Sequence, residues 1–238
     1  MSDTAENKES VVAAVVEEVR APQTAESLAE ASAQPETEAS GRGKKTREQM
    51  NLENLKNVGA MHGAAVIAAL TLFGAAHTWA AVSGWMLAAA TAVATAVLAG
   101  IVISSIAHEW GHFSGTVLSG SRYKVARKPY NYFFMFSFDM AANSSRQAIW
   151  MSWGGLAGCW FILAAVISLV PMDSWACAAL AATVLGQAVN ASVFEVPIIL
   201  RTRASGEFEK ELDRRLENPG VVRMPGLIVG LLAFALLT

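Results

Sequence analysis

Residues 57–108 read NVGAMHGAAVIAALTLFGAAHTWAAVSGWMLAAATAVATAVLAGIVISSIAH, and none of them is Asp, Glu, Lys or Arg. A helix that crosses the hydrocarbon core of a bilayer needs about 20 mainly apolar residues. The stretch therefore predicts two transmembrane helices, over residues 59–81 and 84–106, joined by a turn near residues 79–84.

A second apolar region lies further along the chain. Residues 147–200 are interrupted at 171–174 by Pro-Met-Asp-Ser, which predicts spans over 147–170 and 175–200. The last residues, 225–238, are apolar but too short for an ordinary span. They predict a short or re-entrant fifth span, with an interfacial helix as the alternative.

Composition agrees with a membrane protein. The 238 residues are 53% hydrophobic, and the mean hydropathy is +0.37. Both values exceed what an ordinary soluble domain shows. The expected partners are therefore a lipid bilayer and other membrane proteins, and no nucleic acid is expected.

The basic residues predict the orientation. All 18 Lys and Arg lie before Gly59, between Gly120 and Gln147, or between Leu200 and Met224. With four spans these three regions share one side of the membrane, and the positive-inside rule makes that side cytoplasmic. We therefore expect an integral protein of the plasma (inner) membrane with a cytoplasmic N-terminus.

The sequence divides the chain into two regions. Residues 1–40 hold nine acidic and two basic residues and few large apolar ones, which predicts disorder. Residues 41–56 are basic and polar, as expected beside an anionic lipid surface. The predicted division is a tail of residues 1–56 and a membrane-embedded domain of residues 57–238.

The segment between the second and third spans is rich in strand-forming residues. Five of residues 132–140 are aromatic, and a turn is predicted at 129–131. We predict a β-hairpin at the membrane edge, which either receives an extended peptide by strand addition or only packs on the helices. The predicted fold is thus an all-α polytopic membrane protein, with four to five transmembrane helices and a small β-hairpin.

The charge-free stretch ends in the pattern HExxH, formed by His108, Glu109 and His112. Positions i and i+4 lie on one face of a helix, so both imidazoles can reach one metal ion. Two imidazoles suit Zn²⁺, and the adjacent carboxylate can take a proton from water. Ionisable groups near a bilayer are costly and usually functional.

Four features of residues 59–200 resemble the site-2 protease family of intramembrane zinc metalloproteases. The most specific is His108-Glu109-Trp110-Gly111-His112 at the end of an apolar span, where the family has HExGH. A strand-rich linker follows. SRQA and WGGLAG, at 145–148 and 153–158, look like the family's basic segment and GPLAN-like span. A later span has a polar centre at Gln187 and Asn190.

The chain departs from the family at the third zinc ligand, which is usually an aspartate in an NxxPxxxLDG-like stretch. Here Asn190 matches the asparagine, but no LDG follows Pro197. Glu195 is the only Asp, Glu, Lys, Arg or His between Asp173 and Arg201, which makes it the natural substitute. Asp139 is the competitor, and the third alternative is that neither carboxylate is the ligand.

The resemblance implies a zinc-dependent endopeptidase that cleaves membrane-spanning or membrane-proximal segments of other proteins. His108, His112 and Glu195 would bind Zn²⁺, Glu109 would be the general base, and Asn190 would bind the substrate backbone or the oxyanion. The missing LDG motif favours an alternative, a catalytically inactive zinc-binding scaffold that sequesters a partner. A transporter or channel would leave Glu109 without a role.

The remaining histidines and cysteines are expected to pack. His62 and His77 lie singly in the first span, and Cys159 and Cys177 lie inside later spans. Small apolar packing is the ordinary role of a buried free cysteine.

Overall fold

The computed structural model describes residues 46–130, 133–217 and 219–238. Residues 1–45, which hold most of the predicted disordered tail, lie outside these ranges. Within these ranges, six helices and one hairpin follow in chain order: α1 Arg47–Ser83, α2 Met86–Leu118, β1 Tyr123–Tyr130, β2 Phe134–Phe138, α3 Ser145–Leu169, α4 Trp175–Ser205, α5 Phe208–Leu216 and α6 Pro219–Leu237.

The predicted mostly helical architecture is confirmed. In the described part of the chain, α1, α2, α3 and α4 are long and apolar enough to cross a membrane. The apolar part of α6, Met224–Leu237, is shorter, so its insertion stays a prediction.

The helix boundaries follow local chemistry. Thr46 and Gln49 form a reciprocal capping box that starts α1. Gly84 ends it in the left-handed conformation, with φ of 65°. The next helix, α2, then runs unbroken through the HExxH pattern to Leu118, well beyond the predicted span end at residue 106.

Glycines bring α2 and α3 into backbone contact. A Cβ at Gly111 would collide with the carbonyl of Gly154, and a Cβ at Gly158 with the carbonyl of Ala107. Small residues at such positions let two helices approach closely. The contact places the backbone of α3 beside the histidines of α2.

The hairpin lies over the start of α1 and the end of α2. Val125, Met135 and Phe136 are buried with Val58 and Phe113 in one apolar cluster. The predicted turn at 129–131 begins too early, because β1 continues through Pro129 to Tyr130; residue 131 lies outside the described residues. Pairing with β2 is irregular between Val125 and Tyr130, which accommodates a residue that has no backbone N–H.

One edge of the hairpin is covered by α1. The Val125 N–H donates to Asn51 Oδ1 at 3.0 Å, and Asn54 Nδ2 donates to the Val125 carbonyl at 2.9 Å. These side chains satisfy the outer edge of β1. The far edge of β2 instead faces α2.

Candidate metal centre

His108, His112 and Glu195 meet at one point. Because they are four residues apart on α2, the two histidines place their Nε2 atoms 3.0 Å from each other. Glu195, on α4, places Oε1 3.1 Å from His108 Nε2 and 3.2 Å from His112 Nε2. The three atoms form a nearly equilateral triangle.

Backbone carbonyls of α3 fix the orientation of both rings. His108 Nδ1 lies 3.1 Å from the Gly155 carbonyl, and His112 Nδ1 lies 3.0 Å from the Met151 carbonyl. A carbonyl oxygen only accepts, so each Nδ1 carries the proton and donates it. Neutral rings in this tautomer turn the lone pairs of both Nε2 atoms towards Glu195.

Such a triangle of acceptors needs a positive charge. Two nitrogen lone pairs and a carboxylate oxygen at about van der Waals distance repel one another unless a proton or a metal ion lies among them. Glu195 is 3% exposed, and its Oε2 has no hydrogen-bond partner among the described residues. An unpaired carboxylate buried to this degree is costly.

The triangle fits a metal ion. Tetrahedral zinc with bonds of about 2.0–2.1 Å holds its ligand atoms about 3.3 Å apart, close to the separations in this triangle. Carbonyl acceptors behind each histidine are the usual second contacts of metal-binding imidazoles. These residues could therefore hold a metal ion.

A proline and an arginine shape α4 around Glu195. Pro197 lies inside the helix and has no N–H to donate to the Val193 carbonyl four residues earlier. Arg215 of α5 fills the gap, because its Nη2 donates to that carbonyl at 2.6 Å. Glu195 lies between these two points, so α5 braces the turn that carries it.

Glu109 is buried beside the centre and is held by the hairpin. It is 5% exposed, and its Oε1 accepts a hydrogen bond from the Met135 N–H at 2.9 Å. This N–H lies on the far edge of β2. Glu109 and His108 both line a cavity of about 540 Å³, together with Phe133 and Phe134.

Asn190 lies on the wall of the same cavity, with Gln187. Its Oδ1 accepts a hydrogen bond from the Gly226 N–H of α6 at 3.2 Å. Its amide nitrogen donates to none of the described residues. The structure thus places Asn190 near the centre without assigning it a role.

Asp139 lies apart from the centre. Its Oδ1 accepts from the Ala142 N–H at 3.1 Å, in the turn after β2. Asp139 therefore closes a local turn, and Glu195 is the carboxylate that groups with the histidines.

Tyr130, the last residue of β1, is influenced by the charge of Glu109. Its hydroxyl donates to the Phe136 carbonyl at 2.8 Å. Burial raises the pKa of the Tyr130 phenol, and the negative charge of Glu109 adds a smaller increase. The neutral phenol is therefore the form that the fold favours.

His62 packs in the interior. Its Nδ1 accepts from the Trp110 indole N–H at 3.1 Å, and its ring lies edge-on to Trp110 and Phe133. Cys159 is buried in the apolar core, with its sulfur 3.3 Å from His108 Nδ1. Both residues have the packing environments that the sequence predicts.

The sequence did not identify the backbone partners of the centre. The Met151 and Gly155 carbonyls and the Met135 N–H belong to residues whose side chains carry no signal for this chemistry. Only the small residues around Gly155 indicated a close helix contact. Arg215 was also missed, although Pro197 implied an unpaired carbonyl somewhere on α4.

Comparison with protein-family models, with curated proteins and with solved structures gave no match. Only the geometry of the site and the sequence pattern therefore bear on function.

Proposed function

We propose that the chain is a zinc-dependent intramembrane endopeptidase that cleaves membrane-spanning or membrane-proximal segments of other proteins. One observation carries the proposal: three acceptor atoms converge within 3.2 Å of one another, and Glu109 lies on the same helix as the histidines and lines a cavity with His108. This set contains the ligands and the base that metal-assisted hydrolysis requires.

His108, His112 and Glu195 would hold the ion. Two imidazoles and one carboxylate form a three-ligand set of the kind found in catalytic zinc sites. When bound, zinc supplies a Lewis acid that polarises the scissile carbonyl and makes water more acidic.

Glu109 is proposed as the general base. It accepts a proton from the attacking water and delivers it to the nitrogen of the leaving amine. The Met135 N–H holds one carboxylate oxygen at 2.9 Å and so fixes the orientation of the group. Burial keeps bulk water away from the carboxylate.

The cavity suits an extended, apolar substrate. The Met135 N–H on the far edge of β2 already donates to Glu109, so a substrate would bind beside this edge, where Phe133 and Phe134 offer apolar surface. The Asn190 amide N–H groups can donate to a substrate carbonyl or to the developing oxyanion. A membrane-spanning substrate would need local unwinding to bind in this way.

The proposed location is the plasma (inner) membrane, with the N-terminus and the hairpin on the cytoplasmic side. The placement of the Lys and Arg residues supports it. Single cysteines at Ser83 and at the exposed Ala141, in a chain without Cys159 and Cys177, should react with an impermeant reagent from opposite sides. Labelling of both from outside would contradict the orientation.

The decisive test separates an enzyme from a scaffold. Glu109→Gln preserves size but removes the base, so zinc content should stay at the wild-type level. Cleavage of a single-span membrane substrate should fall by at least ~100-fold, the lower range for loss of a general base. His108→Ala and His112→Ala should each lose the zinc ion of this centre, together with cleavage.

The scaffold remains the second candidate, because the aspartate motif of the resembled family is missing from this sequence. Full biological function of the Glu109→Gln chain would establish that alternative and exclude hydrolysis. Loss of function in Glu109→Gln with zinc retained would exclude the scaffold.

A further inference from the structure

A second cluster of metal-binding side chains lies far from the His108 centre. It consists of His77 near the end of α1, Asp173 in the turn between α3 and α4, and Cys177 in the first turn of α4. One ligand atom from each residue lies within 4.8 Å of the other two.

Helix length separates the two clusters. Cys177 precedes Glu195 by 18 residues on α4, which is about 27 Å of helix. His77 follows His62 by 15 residues on α1, about 22 Å from the level at which His62 contacts Trp110. The second cluster therefore lies at the opposite end of the long helices.

The His77 ring faces a hydroxyl and a thiol. Ser174 Oγ lies 3.0 Å from His77 Nε2, and it also accepts the Cys177 N–H at 3.2 Å. A hydroxyl oxygen has two lone pairs and one hydrogen, so this contact fits either tautomer of His77; in the Nδ1–H tautomer, Nε2 has the lone pair that a metal ion would take. Cys177 Sγ lies 3.9 Å from the same nitrogen.

These distances are near those of a bound ion. Tetrahedral zinc holds a nitrogen and a sulfur ligand about 3.6 Å apart, so the His77–Cys177 pair needs a shift of a few tenths of an ångström. Imidazole, thiolate and carboxylate together suit Zn²⁺ better than Ca²⁺ or Mg²⁺. Cys177 is buried and Asp173 is exposed, so the ion would be reachable from the aqueous phase.

We propose that His77, Asp173 and Cys177 form a second metal site, for a Zn²⁺-like ion, at the opposite end of the molecule from the His108 centre. The site would join the end of α1 to the start of α4. These two elements otherwise share little contact, since α1 packs chiefly on α2 and β1. A His77–Ser174 hydrogen bond alone would not explain why Cys177 and Asp173 also lie close to His77.

The test uses Co²⁺ as the probe, on the full-length protein purified in detergent without a histidine tag. His108→Ala and His112→Ala are combined to remove the first centre. This chain should bind one equivalent of Co²⁺ with the near-ultraviolet charge-transfer absorption of a thiolate–cobalt bond. Cys177→Ser should abolish that absorption.

The only other cysteine gives a matched control. Cys159→Ser should leave the absorption unchanged, and so should Ser174→Ala if the hydroxyl is not a ligand. His77→Ala and Asp173→Asn should each weaken Co²⁺ binding by at least ~10-fold, the smallest effect usual for a group at a metal site. Asp173 is exposed in a turn, so its variant tests the site without disturbing the packing.

Three results would each overturn the proposal: no thiolate absorption in the chain that lacks the first centre, absorption that survives Cys177→Ser, or Co²⁺ affinity unchanged by Asp173→Asn. The first two exclude the sulfur ligand, and the third excludes the carboxylate.

Discussion

Arg215→Met tests whether α5 holds the proposed ligand helix in place. The substitution keeps an apolar stem of similar length but removes the donor to the Val193 carbonyl, which Pro197 already leaves without its helical partner. A hydrogen bond from a charged donor contributes about 1.5–3 kcal/mol. We expect the free energy of unfolding to fall by that amount.

Metal affinity should fall as well. Glu195 lies two residues from Val193 and two from Pro197, so loosening this turn of α4 would make the position of the Glu195 carboxylate beside the histidines less fixed. Loss of a supporting contact at a metal site typically weakens binding by about 10–100-fold. Zinc affinity can be measured by competition with a chromophoric chelator, and stability by reversible unfolding in mixed micelles.

The neighbouring Arg214 provides the matched control. It has the same charge and is exposed. Arg214→Met should leave both quantities within experimental error. Equal behaviour of the two variants would refute the bracing role of Arg215.

A double-mutant cycle identifies the mechanism. Pro197→Ala restores an N–H that can donate to the Val193 carbonyl, so Arg215 becomes partly redundant. A neutral backbone hydrogen bond contributes about 1 kcal/mol, and the cost of Arg215→Met should shrink by about that much in the Pro197→Ala background. An undiminished cost would show that Arg215 acts elsewhere.

Three further predictions follow from the site. Glu195→Gln should weaken zinc binding by at least ~100-fold, which is more than the loss of a supporting contact does, and Asp139→Asn should leave zinc binding unchanged. A chelator competition in which Asp139→Asn has the larger effect would contradict the assignment of Glu195 as the third ligand. Gly155→Ala places a Cβ against the His112 ring and should abolish retention of the zinc ion at the His108 centre on purification, whereas Gly63→Ala, with open space around it, should retain that ion. Because the folded state raises the pKa of the Tyr130 phenol, the stabilising contribution of the neutral phenol is complete below the ordinary phenol pKa of about 10 and is lost as the pH rises through the higher folded value. Above about pH 10, the free energy of unfolding of the wild type should therefore fall more steeply with pH than that of Tyr130→Phe, and parallel pH dependences would contradict this.

The sequence predicted the helices well because the bilayer imposes a simple length rule. Residues 57–108 lack charge for long enough to form two spans, and the break at 171–174 separates two more. Helix ends were less predictable, since α2 continues beyond the apolar stretch to Leu118. Its polar last turns are stabilised by packing against α3 and the hairpin, and a hydropathy pattern does not report such contacts.

The side chains of the proposed centre could be anticipated for a related reason. A lone carboxylate in an apolar helix needs a partner, and Glu195 stands alone between Asp173 and Arg201. The HExxH spacing gave the histidine pair from helical geometry alone. Neither argument required knowledge of how α2 and α4 are arranged, only that both helices end on the same side.

The supporting contacts needed the three-dimensional arrangement. Pro197 implies an unpaired carbonyl at Val193, and a buried carbonyl without a partner is rare, so the sequence already required a donor near that point. Arg214 and Arg215 are adjacent and chemically identical, and nothing in their order shows which faces α4. The rotation of α5 decides, because it exposes Arg214 and turns Arg215 inward to the Val193 carbonyl. A sequence can therefore state that a donor is needed, while the packing of a separate helix determines which residue supplies it.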